Sequence, residues 1–261
     1  DAMTGEKIKK LIKGNRGVDF EELKWLQPGL SWSPDSKKIV FATKAGKGDV
    51  LHVVEVETGK GEKYELDIEG VFSASWSPLG NEIAYVGQSG NSSDIYIFDL
   101  NSQISKKITD DIFSDAYPTW SGDGKNIAFV SDRGNKISGE YDGFMYEHDY
   151  SQTDIYSVNV ETKKIDRVTN TNHNESHPVW SKTSDNIFYT SDHNGVWNLY
   201  RHPILGSEDS EPIPVTNVLT GLQQPTISGD DRLLIFAGYS GIGWDLYSMA
   251  NPLTLKKPVS Y

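Results

Sequence analysis

The sequence predicts an all-β fold, a β-propeller of four-stranded blades with five complete blades and one orphan outer strand. Three observations carry that expectation. The pair Trp-Ser recurs at Trp32-Ser33, Trp76-Ser77, Trp120-Ser121 and Trp180-Ser181, and Ile227-Ser228 of "ISGDD" is a degenerate fifth copy. Seven residues past each anchor stands Ile39, Ile83, Ile127, Ile187 or Leu234, and nine past stands Phe41, Tyr85, Phe129, Tyr189 or Phe236. A second phrase follows in every unit: "DVLHV" from Asp49, "DIYIF" from Asp94, "DIYSV" from Asp154, "NLYRH" from Asn198 and "DLYSM" from Asp245. Units of about 40 to 45 residues with four strands each are the signature of propeller blades, which bury both sheet faces by packing radially around a channel.

Each unit reads as the same four elements. Xaa-Pro-Xaa-Trp-Ser is a short first strand, and "SPDS", "SPLG" and "SGDG" are tight turns whose Pro, Gly and Asp suit hairpin geometry. "KIVFAT", "EIAYVG" and "NIAFVS" are apolar on both faces, as a strand sandwiched between two neighbouring sheets must be. The Asp-led phrase is the third strand, and "ETGK" or "ETKK" turns into a fourth such as "KKITD" or "DRVTN". The blades then span 27–67, 71–110, 116–170, 176–217 and 223–260, and "LTLKKPVSY" supplies the outer strand of the fifth. Residues 1–13 resemble "EVETGKGEKYEL" and read as the end of a preceding blade, so the expectation is a ring of six or more blades in a longer polypeptide.

One unit breaks the spacing. The anchor-to-phrase distances are 17, 18, 34, 18 and 18, so the third unit carries 16 extra residues, which fall in the stretch "NKISGEYDGFMYEHDYS" from Asn135 to Ser151.

The bulk composition narrows the function. A formal charge of -12 opposes binding to a phosphate backbone, and the one basic cluster, Glu6 to Arg16, alternates like a solvated strand. Nucleic acid is therefore not an expected partner. No apolar run approaches the roughly 18 residues of a membrane-spanning helix, so direct insertion by this segment is not expected. Cysteine is absent, which rules out disulfides, thiolate catalysis and Cys-based zinc sites.

At "SWSPDSKKIVFAT", "ASWSPLGNEIAYVG" and "PTWSGDGKNIAFVSDRG", with the matching "DIYIFDL" and "DIYSVNV", the chain resembles the TolB-type, WD-like propeller repeat family. The resemblance covers almost the whole chain. It implies a bacterial cell-envelope protein, periplasmic or associated with the outer membrane, that acts as a scaffold for protein partners. "TGEKIKKLIKGNRGVDFEELKWL" is similar to a subgroup whose propeller lies between an upstream, sometimes metallopeptidase-like, domain and a downstream outer-membrane barrel. "WSKTSDN" and "ISGDD" in the fourth and fifth units depart from the repeat pattern.

No catalytic motif is present. The string nearest to a nucleophile elbow, "GYSGIG", has Ile242 where the second Gly belongs, and there is no His-Glu-x-x-His, Walker loop or dinucleotide fingerprint. No cofactor is expected. The repeated Trp residues and Asp49, Asp94, Asp154 and Asp245 are expected to serve the fold, the Trp as core and the Asp as acceptors for backbone amides.

Function is sought where the blades differ. Phe72, Asp115, Tyr117, Glu175, His177, Gln223 and Gln224 precede the anchors and are expected at one mouth of the channel, facing a protein partner. Trp197 and Trp244 hold the same slot before the third strand in adjacent units, as an aromatic patch would. The insert adds Tyr141, Phe144 and Tyr146 for a partner, while Glu140, Asp142, Glu147 and Asp149 offer oxygen ligands that fit no EF-hand order. The reading is a non-catalytic protein-binding scaffold. Its rivals are an accessory or gating propeller of a peptidase or other hydrolase, and a carbohydrate-binding or lyase-type propeller using His177 with Gln223 or Gln224.

Overall fold

In the computed structural model the described residues are 4, 6–11, 22–23, 29–45, 48–136, 148–204 and 212–255. They build five antiparallel sheets, one for each repeat, so the fold is a five-bladed propeller with one blade shorter than the rest. Blade 1 holds β1 (Glu22–Leu23), β2 (Ser31–Trp32), β3 (Lys38–Ala45), β4 (Gly48–Glu55) and β5 (Gly61–Glu65). Blade 2 holds β6 (Gly70–Trp76), β7 (Glu82–Ser89), β8 (Ser92–Asp99) and β9 (Ile104–Lys107), and blade 3 holds β10 (Asp115–Trp120), β11 (Asn126–Ser131), β12 (Asp154–Asn159) and β13 (Ile165–Arg167). Blade 4 is β14 (Glu175–Trp180), β15 (Asn186–Ser191), β16 (Asn198–Pro203) and β17 (Ile213–Pro214); blade 5 is β18 (Leu222–Ile227), β19 (Leu233–Ser240) and β20 (Gly243–Ala250).

The first strands of successive blades touch in sequence, β2 to β6, β6 to β10, β10 to β14 and β14 to β18, which sets the sheets radially about one axis. Packing between neighbours explains why the second strands are apolar on both faces. In blade 2, Ile83 and Tyr85 pack with Val40 and Leu51 of blade 1, while Ala84 and Val86 pack with Trp120 and Phe129 of blade 3. Trp76, Trp120 and Trp180 are buried as core anchors. Trp120 also donates its Nε1–H to the Ser75 carbonyl of the preceding blade at 3.1 Å.

The tight turns are held by their own side chains. Ser33 donates to Asp35 at 2.6 Å and Ser121 to Asp123 at 2.7 Å, while the amides of Lys38 and Asn126 donate back to the two serine hydroxyls. Blade 4 has Thr183 where that Asp belongs. Its turn borrows Asp231 from blade 5, which accepts from the Ser181 and Thr183 hydroxyls at 2.6 and 2.5 Å and from the Lys182 and Thr183 amides at 2.8 Å each. The departure in one repeat is answered by the next.

Four details differ from the sequence expectation. The inner strand of blade 1 comes in two pieces, since β1 and β2 both pair with β3, and it starts at Glu22 rather than near residue 27. Blade 1 is also out of step by one residue in its third strand: Val50 opposes Thr43 where Asp94 opposes Gly87, so Leu51 is the counterpart of Ile95 and the "DVLHV" phrase is offset. Blade 5 has three strands among the described residues, because Pro252–Thr254 form a 3-10 turn and Leu253 and Leu255 pack back on the core; residues 256–261 lie outside the described residues. Residues 6–11 join no ladder, yet Leu11 packs beside Ile39, Phe41 and Val54 on blade 1, and Lys9 Nζ donates to the carbonyls of Val56 and Glu57.

Candidate functional site

Antiparallel order sends every link from a fourth strand to the next first strand, and every link from a second to a third strand, to one end of the propeller. The third-blade insert leaves β11 and returns to β12, so it stands on that face. Asp115, Ser131 and Asp154 share one rung of blade 3, at the ends of β10, β11 and β12, and Glu175, Ser191 and Asn198 share the matching rung of blade 4. The topology thus gathers these buried acids beneath one face.

Just past the end of β11 lies Arg133, 1% exposed, which the sequence reading did not single out. Its guanidinium pairs with Asp115 at 2.6 Å and Asp111 at 2.9 Å, its Nε donates to Ser131 at 3.0 Å, and the Phe113, Phe129 and Tyr156 rings surround it at 5.2 to 5.7 Å. Burial pushes the Asp115 carboxyl up to about 6 and the Arg133 charge opposes that shift. A planar, permanently charged fork suits such a site because it can meet two carboxylates and stack on rings at once. The signal in the sequence was "SDRG" at the end of the second strand, where blades 2 and 4 have "QSG" and "DHNG".

The junction of blades 3 and 4 repeats the theme with different partners. Asp154 accepts from Arg167 at 2.6 Å, and Glu175 accepts from Thr171 at 2.6 Å and from Thr169 at 3.2 Å. Burial raises the Glu175 carboxyl, and nearby Asp154 raises it further against the pull of the threonine hydroxyls. Loop-to-loop bonds lock the face across this junction: Gln152 donates to the His173 carbonyl at 2.7 Å, Thr153 to the Glu175 carbonyl at 3.1 Å, and the Asn174 amide to Asp192 at 2.8 Å. Of the Asp residues that lead third strands, Asp49 accepts the Val71 amide at 2.9 Å as expected, whereas Asp94 pairs with Lys107 at 3.0 Å and Asp154 with Arg167. Asp245 does neither; it is exposed and accepts from Ser240 instead.

The first strands of blades 2 to 5 bulge three residues before their anchors, and blade 1 has a positive φ at the same place. Gly29, Ser73, Tyr117, His177 and Gln224 all adopt positive φ, between 31° and 52°, and pairing skips from Phe72 to Ser75, Ala116 to Thr119, Ser176 to Val179 and Gln223 to Thr226. Bulges of adjacent blades meet. The Tyr117 and His177 rings lie 4.3 Å apart, and burial lowers His177 to about 4, so its imidazole is neutral at physiological pH. The repeated Pro at 118, 178 and 225, directly after the bulged residue, was the available signal.

The candidate residues therefore divide. Asp115 and Glu175, 0% and 1% exposed, are corrected from partner contacts to buried members of ion-pair and hydrogen-bond networks; their start-of-strand position puts them behind the loops. Phe72 is half-buried and packs against the core shared by blades 2 and 3. Tyr117, His177 and Gln223 are half-buried at the bulges and Gln224 is exposed. Trp197 is half-buried and its carbonyl accepts the Leu222 amide at 2.8 Å, whereas Trp244 is exposed and meets Tyr239 edge-on at 5.6 Å. Of the insert, Tyr141, Phe144, Tyr146, Glu140, Asp142 and Glu147 lie outside the described residues, and Asp149 accepts from Ser151 in a local turn. Its return is seated by His148, whose Nε2 lies 3.4 Å from Asp132 and whose ring is 5.2 Å from that of Phe113. Among the described residues no group of three or more His, Asp or Glu is placed to hold a metal ion, and no helix is long and apolar enough to cross a membrane.

Residues 23–138 match the family of the TolB beta propeller domain. No curated protein sequence matches the chain. Among solved structures, TolB from Acinetobacter baumannii superimposes with a TM-score of 0.68 at 20% identity over 87% of this chain, which spans about half, 52%, of that protein. A protein described as TolB from Agrobacterium tumefaciens gives 0.69 at 18% identity over 86% of this chain and 77% of the other. An oligogalacturonate lyase in complex with manganese gives 0.62 at 13% identity over 87% and 63%. At these identities the likeness is one of fold.

Proposed function

With a TolB-type β-propeller domain matched over residues 23–138, we propose that the chain is a non-catalytic scaffold that binds a protein partner through its insert-bearing face, in the periplasm or at the outer membrane of a bacterium. One observation carries this reading: on that face the buried charged groups are spent on one another, and large apolar side chains stand exposed among the loop tips. Arg133, Asp115, Asp154 and Glu175 are buried and paired, while Ile112, Tyr150 and Leu219 are exposed on the loops around them and Trp197 is half covered. A rigid, locked set of loops with apolar and aromatic tips is suited to shape-complementary binding, since little conformational entropy is lost on contact. The envelope location rests on the family match and not on any feature of the fold.

The test is capture from a bacterial periplasmic extract by the immobilised chain. The double variant Ile112→Asp with Leu219→Asp, and a chain in which residues 135–151 are replaced by a two-residue turn, are each expected to keep the wild-type circular dichroism and lose the captured protein. Undiminished capture by both variants overturns the reading.

A further inference from the structure

Two carboxyls lie buried where blade 3 meets blade 4. Asp154, at the start of β12, is 0% exposed and Glu175, at the start of β14, is 1% exposed. Asp154 Oδ2 accepts from Arg167 Nη2 at 2.6 Å, while its Oδ1 is buried with no donor in hydrogen-bond range among the described residues. Glu175 accepts the Thr171 hydroxyl on Oε1 and the Thr169 hydroxyl on Oε2. Beyond Arg167, Asp154 faces the Thr171 amide and the Glu175 carboxyl itself. The phenols of Tyr156 and Tyr189 also face the pair, and burial pushes both up, so they stay neutral. Ser191 and Asn198 complete the rung without charge.

The equivalent junction of blades 2 and 3 shows what is missing. There Asp94 and Asp115 stand in the same places, and each has a cation of its own, Lys107 at 3.0 Å and Arg133 at 2.6 Å. In blade 4 the residue two past the rung, where blade 3 has Arg133, is His193; it is exposed, and its ring lies 4.3 Å from that of His173. Among the described residues, Arg167 is thus the one cation paired with Asp154 or Glu175. Two carboxyls out of water with a single positive charge do not both ionise; one keeps a proton, and the favoured place for it is between them. Burial and the neighbouring Asp154 both raise the Glu175 carboxyl, so Glu175 is the one that keeps it.

We propose that this pair is a proton-held latch: the Glu175 carboxyl donates to the orphan Asp154 Oδ1, and loss of that single proton loosens both roots of the third-blade insert. Each root hangs on the pair directly. Arg167, held by Asp154 through Nη2, donates through Nη1 to Asn135, where the insert begins. Thr153, just past its end, exchanges two bonds with Glu175: its hydroxyl donates to the Glu175 carbonyl at 3.1 Å, and the Glu175 amide donates to its carbonyl at 2.9 Å. With the proton in place a hydrogen bond joins β12 to β14. Without it two like charges stand there, so the latch is closed in neutral medium and released in alkaline medium.

Glu175→Gln fixes the latch in its closed form, because the side-chain amide donates as the protonated acid does and does not titrate. Amide hydrogen exchange is compared between the wild-type chain and this variant at about pH 7 and at about pH 9. At the higher pH the amides at positions 153 and 175 are expected to exchange at least about tenfold faster in the wild type, the equivalent of one pKa unit of coupling, and at the lower pH to match the variant. The Ser114 amide, bonded to Asp132 at the junction of blades 2 and 3, should differ far less. In carbon-13 NMR of the wild type one Glu side-chain carboxyl carbon should titrate above neutral pH and be missing from the variant. Equal exchange at 153 and 175 in the two chains in alkaline medium overturns the inference, as does a change of the same size at Ser114. So does a wild-type chain whose Glu carboxyls all finish titrating below neutral pH. Where Glu175→Gln does not fold, the wild-type chain decides alone, through that carbon and through protection at 153 and 175 relative to Ser114 at the two pH values.

Discussion

Glu175 and Arg133 show how much of this molecule's behaviour rests on single buried groups. An acid whose carboxyl is raised in the folded state binds a proton that the unfolded chain releases, so folding stability falls as pH rises from the ordinary Glu value of 4.5 toward the raised one. Glu175→Gln removes that dependence: chemical denaturation should show a flatter stability profile above pH 4.5 and a more stable variant at pH 8. Arg133→Met leaves Asp115 buried without its cation, at a cost of about 3–5 kcal/mol at neutral pH. Protonation relieves that charge, so the deficit of Arg133→Met should shrink measurably between pH 7.5 and pH 5. Neither residue's role was legible in the sequence. Glu175 and Asp115 read as polar loop residues beside the anchors; only the rung that each shares with the second and third strands of its own blade, through Ser191 or Ser131, shows that they face inward.

At the scale of elements the repeat was far more readable, because strand periodicity and turn chemistry are local. The anchors and second strands fall where their spacing puts them, and the Ser-to-Asp turns close as their composition demands. What spacing could not reveal is help between repeats. Asp231 sits in a turn of blade 5 but satisfies the turn of blade 4, so Asp231→Asn, which tolerates the same φ of +57°, should cost about 1–3 kcal/mol by removing a charged acceptor from four donors. Hydrogen bonds from Ser181, Thr183 and two amides hold that carboxyl below the usual range, although burial opposes them. This contribution is complete above the ordinary Asp range and is lost as pH falls through the lowered value, so acid unfolding of Asp231→Asn should begin from a lower plateau with a shallower slope. Gly29 is a second case. A Cβ there would lie 2.2 Å from the Ser73 Cα, so Gly29→Ala forces blades 1 and 2 apart and should lower the melting midpoint by several degrees.

For the whole molecule, the sequence announced five blades and the place of the insert but did not show how residues 6–11 and 252–255 lie. Residues 6–11 and 252–255 lie against core side chains without extending a ladder, and their short strand-like patterns carry no information about that choice. The insert is tied down where it returns, through His148 to blade 3, so shortening it between those ties should leave the unfolding midpoint within about 2 °C of wild type. The bulges around the axis have the widest reach. Five different residues, Gly29, Ser73, Tyr117, His177 and Gln224, take one backbone shape at one height. The path of the inner strands is therefore written in main chain: at Ser73, Tyr117, His177 and Gln224 one bulge carries a hydroxyl, a phenol, an imidazole and an amide in turn, and only at Gly29 does the neighbouring blade forbid a side chain.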